Sequence, residues 1–359
     1  MKRFLFLVII MTIVPLLPHA KACTGITLQT ADGDVITART IEWAYTPLNA
    51  IYVAVPRGQQ LTSLLSDANG EKRRWDANYG YVGIAVENSS YVMEGINEAG
   101  LNAGLFYFPN YGKYPPYETN TEHLYVADMQ FVSWVLSSFS TIDELLEGLA
   151  MVRVVGADPR ASTAHWRVTE PSGRQVVLEV VNEEMKVYEN PLGVLTNSPE
   201  LPWHLTNLNN YVNLIPGSVA TQSLGKMQLN AFGGGSGMLG LPGDMTSPSR
   251  FVRAAFYQNT APRLNSTEQT VMQAFHLLNQ FDIPIGVQFS DPKMAPDMPS
   301  ATQITIVTDL KNSRLYYRTM YNSAIRCFNL QDVNFDNLMF VAAPLEECYK
   351  ESIHSIEID

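Results

Sequence analysis

Cys23 has the strongest potential for chemistry in this chain, because of the residues in front of it. The sequence runs Ala20-Lys21-Ala22 and then Cys23, and small residues in that pattern form the cleavage site of a secretory signal. A cysteine at a new N-terminus carries a thiol of reference pKa about 8.5 and a free α-amine of pKa about 7.7 to 8.0. Because the amine can accept the thiol proton, one residue supplies both nucleophile and base. This pair is suited to amide hydrolysis through an acyl-enzyme.

Three other roles for Cys23 stay open on the residues alone. Cysteine is often an inert small hydrophobic residue at the start of a strand. It is also the acylated residue of lipoproteins, although Lys21 stands where such signals carry small or apolar side chains. A disulfide to Cys327 or Cys348 is the third role. A lipid-anchored, non-catalytic binding protein is therefore the rival hypothesis from another functional class.

The first 22 residues have the composition of a secretory signal, with a basic start and a short apolar run. Pro15 and Pro18 interrupt this run before it reaches the roughly 20 residues of a membrane-spanning helix. We predict that residues 1–22 are removed and that residues 23–359 form a single domain. The mature protein is then periplasmic or secreted, with no stable insertion into a membrane.

Composition disfavours several classes of partner. The formal net charge of −11 repels nucleic acid and anionic lipid. The histidines show no metal-ligand spacing, and three cysteines are too few for the usual structural zinc sites. The glycine-rich stretch 232–237 lacks the lysine of a phosphate loop. We expect no metal, no cofactor and no nucleic-acid partner. Cys327 and Cys348 form either a disulfide or two separate buried thiols.

Alternating apolar and polar residues predict strands at both ends of the mature chain. Residues 24–30 and 34–41 flank Ala31-Asp32-Gly33, which is typical of a hairpin turn. A second hairpin is predicted at 302–309 and 313–320. Further strands are predicted at 50–55, 80–87, 91–95, 102–108, 164–170, 174–180 and 185–189.

Helical periodicity occupies the region between these strands. It predicts four helices: 123–138, one from a capping box at 141–144 through Leu149, one with Ser247 as N-cap and Pro248 in its first position, and 268–281. The stretch 197–246 has no periodicity and is predicted to be a long functional or contact-making loop. Strands, then helices, then strands indicate an α+β domain built of segregated layers.

The predicted N-terminal hairpin brings a charge towards Cys23. Arg39 lies on the second strand, and pairing across the turn at 31–33 returns it to the start of the first strand. A guanidinium beside a thiol lowers the thiol pKa and favours the thiolate. A lone strand arginine is more often a solvated charge, so both roles stay open.

Four stretches together resemble the choloylglycine hydrolase family, N-terminal nucleophile hydrolases that group conjugated bile salt hydrolases with penicillin V acylases. They are CTGITLQTADGDVITARTIEW (23–43), GINEAGLNAGLFYFP (95–109), GVLTNSPELPWHLTNL (193–208) and FGGGSGMLGLPGDMTSPSRFVRAAF (232–256). They occur in the family's order and spacing, and the likeness covers nearly all of the mature chain. The resemblance implies a four-layer αββα sandwich and hydrolysis of a linear amide C–N bond in a small-molecule acyl amide.

The resemblance also implies roles for individual residues. Cys23 falls on the nucleophile and Arg39 on the arginine beside its thiol. Asn197 falls on a side-chain donor to the oxyanion, and Arg250 on an arginine that supports the site electrostatically. The family's aspartate three residues after Arg39 is replaced here by Glu42, whose extra methylene moves the carboxylate by about 1.5 Å. Its expected role is to orient the free amine.

Tyr107 takes the family position, ten residues after Asn97, whose backbone N–H contributes to the oxyanion hole. Penicillin V acylases often carry tyrosine there, and bile salt hydrolases usually carry asparagine. We therefore predict a penicillin V acylase-like amidase, with conjugated bile salts and N-acyl homoserine lactones as alternative substrates. A packing role beside Phe106 and Phe108 is the alternative for Tyr107.

Two surface features are also predicted from the sequence. Two roles stay open for Tyr111, Tyr114, Tyr117 and Trp203: lining an apolar acyl pocket, with the loop 109–119 at its rim, or packing on the surface beside prolines. Members of the family are often tetramers, which implies a homotetramer with the segment 197–230 as an assembly arm.

Overall fold

The computed structural model describes residues 22–43, 48–119, 124–158, 163–284, 287, 301–347, 349–351 and 353–358. Apart from Ala22, the predicted signal lies outside the described residues, and so does Cys348. The hypothesis of a disulfide between Cys327 and Cys348 therefore stays a prediction. Cys327 itself is exposed, so the alternative of two buried thiols is wrong for this residue.

The described residues form nineteen strands and five α-helices. The strands are β1 (Cys23–Gln29), β2 (Val35–Trp43), β3 (Ala50–Val55), β4 (Gln60–Ser66), β5 (Lys72–Asp76), β6 (Tyr81–Val86), β7 (Asn88–Asn97), β8 (Asn102–Tyr107), β9 (Leu124–Ala127), β10 (Val152–Val155), β11 (Ala164–Thr169), β12 (Gln175–Val181), β13 (Glu184–Glu189), β14 (Gln222–Leu224), β15 (Met227–Leu229), β16 (Ala301–Asp309), β17 (Arg314–Thr319), β18 (Asn322–Asn329) and β19 (Val341–Pro344). The helices are α1 (Phe131–Ser138), α2 (Ile142–Leu149), α3 (Leu201–Asn207), α4 (Ser247–Thr260) and α5 (Thr267–Leu278).

Two antiparallel sheets make the centre of the molecule. The first has the order β1-β2-β16-β17-β18, and the second has the order β13-β12-β11-β8-β7-β6-β3-β19. Helices α4 and α5 pack on β1, β2 and β16, whereas α1 packs on β7 and β8. A hydrogen bond from Thr37 to Asn102 joins the inner faces of the sheets. The layers are therefore helix, sheet, sheet and helix, which confirms the predicted αββα sandwich.

The first two strands are buried on both faces, and the two faces differ in polarity. Ile26, Ile36 and Ala38 pack in one apolar cluster with Phe251 and Phe275 of the helix layer. Successive side chains of a strand point to opposite faces, so the residues between them face the second sheet. That inner face carries polar groups, including Thr37 and Arg39, and it positions the site described below.

The predicted N-terminal hairpin is confirmed, because β1 and β2 pair from Cys23 with Ile41 to Gln29 with Val35. The C-terminal hairpin of β16 and β17 is confirmed as well. The N-cap Thr141 accepts from the backbone N–H of Glu144, as the capping box predicts.

Three expectations are wrong. Leu124–Ala127, placed in a helix, forms β9 paired with β10, because β-branched and aromatic residues there find a strand partner; the helix begins only at Phe131. The stretch 197–246 contains a helix at Leu201–Asn207 and a short hairpin of β14 and β15. The N-cap of α4 is Thr246, one residue before the predicted Ser247.

Candidate active site

Cys23 lies at the start of β1 with its side chain between the two sheets, and it is 2% exposed. Its sulfur accepts a hydrogen bond from Arg39 Nη2 at 2.9 Å. The register that pairs Gly25 with Arg39 and Cys23 with Ile41 brings the two side chains together. The predicted approach of Arg39 to Cys23 is therefore observed.

The sulfur lies against a gap between β7 and β8. Pairing of these strands ends at Glu94 with Gly104, and beyond that point the strands separate. The carbonyl oxygens of Met93 and Leu105, one residue further on each strand, both accept hydrogen bonds from Arg39 Nη1. Arg39 therefore closes the gap and is held rigidly with Nη2 on the sulfur.

The gap also frees the backbone of Tyr107. Its neighbour Phe108 donates its N–H to Thr163 on the opposite edge of β8. In a strand the N–H and C=O of one residue point to the same edge, so both polar groups of Tyr107 face the gap. Its oxygen accepts from Asn197 Nδ2 at 2.7 Å, and its N–H hydrogen-bonds to the Cys23 sulfur.

Asn197 connects three parts of the site through its side-chain amide. Its Oδ1 accepts from the backbone nitrogen of Cys23 at 2.9 Å and from Arg250 Nη2 at 2.6 Å. Its Nδ2 carries two hydrogens, and one of them is used by the oxygen of Tyr107. The second hydrogen is therefore available to an oxyanion formed beside Cys23.

The backbone around Asn197 is held by buried side chains. Its N–H donates to Ser247 Oγ at 2.9 Å, and its carbonyl oxygen lies 2.9 Å from His204 Nε2. The preceding carbonyl, that of Thr196, lies 3.2 Å from His165 Nε2. Burial lowers the pKa of His204 to about 4, so at neutral pH this histidine is an uncharged donor.

Arg250 and Glu42 lie on the other side of β1 and β2, towards the helix layer. Arg250, on α4, donates to the carbonyl oxygen of Cys23 and to Thr24 Oγ1. Glu42 is three residues after Arg39 and so faces away from it; its Oε1 accepts from Thr302 Oγ1 at 3.0 Å. Burial raises the pKa of Glu42 to about 7, and the charge of Arg250 opposes this shift.

The structure thus brings together all six predicted site residues. They are Cys23, Arg39, Glu42, Tyr107, Asn197 and Arg250. The observed partner of the Cys23 nitrogen is Asn197, whereas Glu42 acts on Cys23 through its charge. Burial raises the pKa of the thiol, and Arg39, the Tyr107 N–H and Arg250 each favour the thiolate.

The cavity beside Cys23 is narrow. Its free volume is about 20 Å³, which is room for about one water molecule. It is lined mainly by apolar groups, namely Ile41, Trp43, Met93, Leu105, Tyr107, Met129 and Ala164. An acyl group that enters must displace flexible side chains, and two of these are methionines.

The expectation that loop aromatics line this cavity is wrong. Tyr111 and Trp203 are each 46% exposed, and Tyr117 donates its hydroxyl to the carbonyl oxygen of Ser66. Tyr114 accepts from the backbone N–H of Ala164 and so lies behind the cavity wall. Strands β2, β7 and β8 supply most of the lining, because the gap between β7 and β8 opens there.

Sequence reasoning missed several charged residues that support the site. Glu94 and Arg167 form an ionic cluster with Arg39 between the sheets, and two histidines hold the 196–197 backbone. The available signal was a single charge inside an apolar strand, as in YVMEGI or AHWRVT. A charge at such a position indicates a buried partner, but it does not say which one.

In the part of the chain that the structure describes, no group of His, Cys, Asp and Glu side chains is arranged to hold a metal ion. The described helices include none that is long and apolar enough to cross a bilayer.

Comparison with known proteins gives a consistent result. A family model described as linear amide C–N hydrolases, choloylglycine hydrolase family, matches residues 23–342. The bile salt hydrolase/transferase of Clostridium perfringens is 30% identical over 320 residues, which are 88% of this chain and 94% of that protein. A variant of the conjugated bile acid hydrolase from the same organism has a TM-score of 0.79 at 28% identity, covering 93% of this chain and 100% of that one. Penicillin V acylase from Agrobacterium tumefaciens has a TM-score of 0.72 at 20% identity, covering 92% and 95%, and shares the fold.

Replacing Glu42 by glutamine should change how stability depends on pH. Because burial raises the folded-state pKa of Glu42 from 4.5 to about 7, its contribution to stability is complete below pH 4.5 and is lost as the pH rises through 7. Between about pH 4.5 and 8, the free energy of unfolding of Glu42→Gln should gain about 3 kcal/mol relative to the wild type. Urea denaturation across this range measures the difference. Glu147→Gln, on an exposed face of α2, is the control; parallel curves for Glu42→Gln and the wild type would contradict the expectation.

Proposed function

This chain belongs to the choloylglycine hydrolase family of linear amide C–N hydrolases, and from that premise we propose that it is an exported amidase with Cys23 as its nucleophile. The proposal is carried by one observation, the position of the Cys23 sulfur between the guanidinium of Arg39 and the backbone N–H of Tyr107. The two donors stabilise the negative charge of a thiolate in a buried place.

Acylation follows from the groups around the sulfur. The free α-amine of Cys23 takes the thiol proton, and the thiolate forms a bond to the amide carbonyl carbon while an electron pair moves to the oxygen. The Tyr107 N–H and the second Nδ2 hydrogen of Asn197 receive this oxyanion. The C–N bond then breaks, and the leaving nitrogen takes the proton from the α-ammonium group.

Deacylation uses the same groups in the reverse direction. The α-amine takes a proton from water, and the hydroxide oxygen attacks the thioester carbon. The C–S bond breaks, the acid is released, and the sulfur is regenerated beside Arg39. Arg250 keeps Asn197 and the Cys23 carbonyl in place, and Glu42 balances the charge on the amine side.

The mechanism requires a free nitrogen on Cys23, and we propose that export removes residues 1–22. The family match begins at Cys23, and the residues ahead of it have the composition of a signal, which both support this start. The nitrogen already lies beside its acceptor on Asn197. A periplasmic or secreted location follows from the same proposal.

For the substrate, we propose first an amide with a slender acyl group, such as the phenoxyacetyl group of penicillin V. The narrow cavity and Tyr107 at the gap support this choice. Conjugated bile salts are the second candidate, because relatives about 30% identical over most of the chain are named bile salt hydrolases.

We also propose a homotetramer assembled through an arm, defined as residues 212–240. Residues 215–230 are all exposed, and Leu224, Phe232 and Leu239 expose most of their surface. The arm bears an open apolar groove of about 620 Å³, and contiguous apolar surface of this kind is typical of contact sites. In the first part of the predicted arm, Asn197 and His204 instead support the active site.

Replacing Cys23 by alanine should abolish turnover without unfolding the protein. Loss of a nucleophile lowers kcat by at least about 10³-fold, whereas a buried Cys→Ala change removes only one sulfur atom. Amide hydrolysis and thermal unfolding of the exported protein are the measurements. The matched control is Cys327→Ala, at an exposed thiol, which should keep full activity.

Full activity of Cys23→Ala would end the proposal. The intact mass of the active exported protein also shows which residue is its N-terminus. An unmodified Cys23 at the first position is expected, and extra residues or a lipid adduct on an active enzyme would contradict the mechanism.

Substrate preference should follow the width of the cavity. We expect kcat/KM for penicillin V to exceed that for taurine- or glycine-conjugated bile salts by at least about tenfold, because one methylene-sized misfit changes discrimination by about 10- to 200-fold. N-acyl homoserine lactones are measured in parallel. A clear preference for bile salt conjugates would overturn the first candidate and favour the second.

Polar substitution of the arm should weaken assembly. The double variant Phe232→Ser and Leu239→Ser removes two exposed apolar side chains of the arm and should give a smaller species by light scattering after size exclusion. Met151→Ser, at a residue 68% exposed on another surface, is the control and should not change the mass. A wild-type protein that is monomeric at micromolar concentration would sink the proposal.

A further inference from the structure

An ionic cluster lies behind the nucleophile, buried between the two sheets. Glu94 on β7 is 3.5 Å from Arg39 Nη1 and 3.3 Å from Arg167 Nη2. All three side chains are at most 1% exposed. Asn102 also donates to Glu94 Oε1, at 2.9 Å. One carboxylate is thus shared by two guanidinium groups.

One aromatic ring and two glycines pack closely around the ionic cluster. The guanidinium carbons of Arg39 and Arg167 lie 4.0 and 5.4 Å from the ring centroid of Phe106. A Cβ on Gly104 would collide with Glu94 Oε2, and one on Gly25 would lie 2.8 Å from Arg167 Nη1. Two glycines therefore leave the space that the charged groups fill.

The cluster carries an unbalanced charge. Within this cluster, Arg39 on β2 and Arg167 on β11 share the single carboxylate of Glu94. The buried carboxylate of Glu179, on the same face of β12, is instead paired with His165 at 3.1 Å. On the opposite face of β1 and β2, Arg250 is balanced by Glu42. Because charges in a low-dielectric interior interact strongly, the surplus positive charge of this cluster favours a negative partner. A thiolate on Cys23, in contact with Arg39, is that partner.

We infer that Arg167 is a positioning residue for the nucleophile: it neutralises Glu94, so that the charge of Arg39 remains available to the Cys23 thiolate. The Nη2 of Arg167 contacts Glu94, and its Nη1 donates to the carbonyl oxygen of Ile26 at 3.3 Å. Arg167 therefore acts on Cys23 through other residues. Glu94 has the opposite electrostatic effect while helping to orient Arg39. This inference rests on the proposed role of Cys23 as nucleophile.

The test compares two variants with opposite predicted effects. In Arg167→Met, Glu94 cancels the charge of Arg39, so alkylation of Cys23 by iodoacetamide at pH 7 should slow by about three- to tenfold. In Glu94→Gln, the positive surplus increases, so alkylation should accelerate by a similar factor. Alkylation rates are followed on the Cys23 peptide by mass spectrometry. The acidic limb of the plot of kcat/KM against pH should move to higher pH in Arg167→Met and to lower pH in Glu94→Gln.

Two further variants separate charge from structure. The double variant Glu94→Gln with Arg167→Met restores the wild-type charge balance, and its alkylation rate should return to within about twofold of wild type. Arg167→Lys keeps the charge and should do the same. Circular dichroism and thermal unfolding identify variants that do not fold. If Arg167→Met does not fold, the alkylation rates of Glu94→Gln and Arg167→Lys still test the inference.

A merely structural role predicts a different pattern. It would slow alkylation in both single variants, and the double variant would be worst. That pattern, or unchanged rates in folded single variants, would overturn the inference. Alkylation reports the thiolate without any substrate, so these outcomes are distinct from retained hydrolysis by Cys23→Ala, which would overturn the proposed function instead.

Discussion

The site depends on keeping a buried sulfur able to ionise. Cys23 is almost completely removed from water, and burial alone favours the neutral thiol. The neighbours of the sulfur offset this cost with the guanidinium of Arg39 and the N–H of Tyr107. Both donors must already be in place when the proton leaves, because reorganising them at that moment would add to the barrier. Most other features of the site serve to hold these two donors.

The gap between β7 and β8 makes this possible. If the strands stayed paired, the carbonyl oxygens of Met93 and Leu105 would accept hydrogen bonds within the sheet. Arg39 Nη1 would then lose the two acceptors that hold it in place. Separation after the Glu94–Gly104 pair exposes a row of backbone groups, and Arg39, Asn197 and Cys23 satisfy them. A local loss of sheet pairing is thus converted into a cavity with fixed donors.

Some contacts of the site could be predicted from local sequence patterns, and others could not. The contact between Cys23 and Arg39 follows from hairpin register, because only sixteen residues separate them. Asn197 and Arg250 lie 174 and 227 residues from Cys23, and no local pattern predicts such pairings; only the family resemblance located them. Glu94 and Arg167 were missed because one charge in an apolar strand does not identify its partner. The helix placed over Leu124–Ala127 failed for a related reason, since its fate depends on a distant strand.

The hydrogen bond between the Cys23 nitrogen and Asn197 has a consequence for activation. This hydrogen bond is present while Ala22 is still joined to Cys23. The carbonyl oxygen of Ala22 in turn accepts a hydrogen bond from the backbone N–H of Glu42. If the chain is cut after Ala22 as proposed, the uncut chain already holds the Cys23 nitrogen against Asn197, and only the lone pair of this amide nitrogen is unavailable. Cleavage of this bond would then free that lone pair to act as the base, with its hydrogen-bond acceptor already in place.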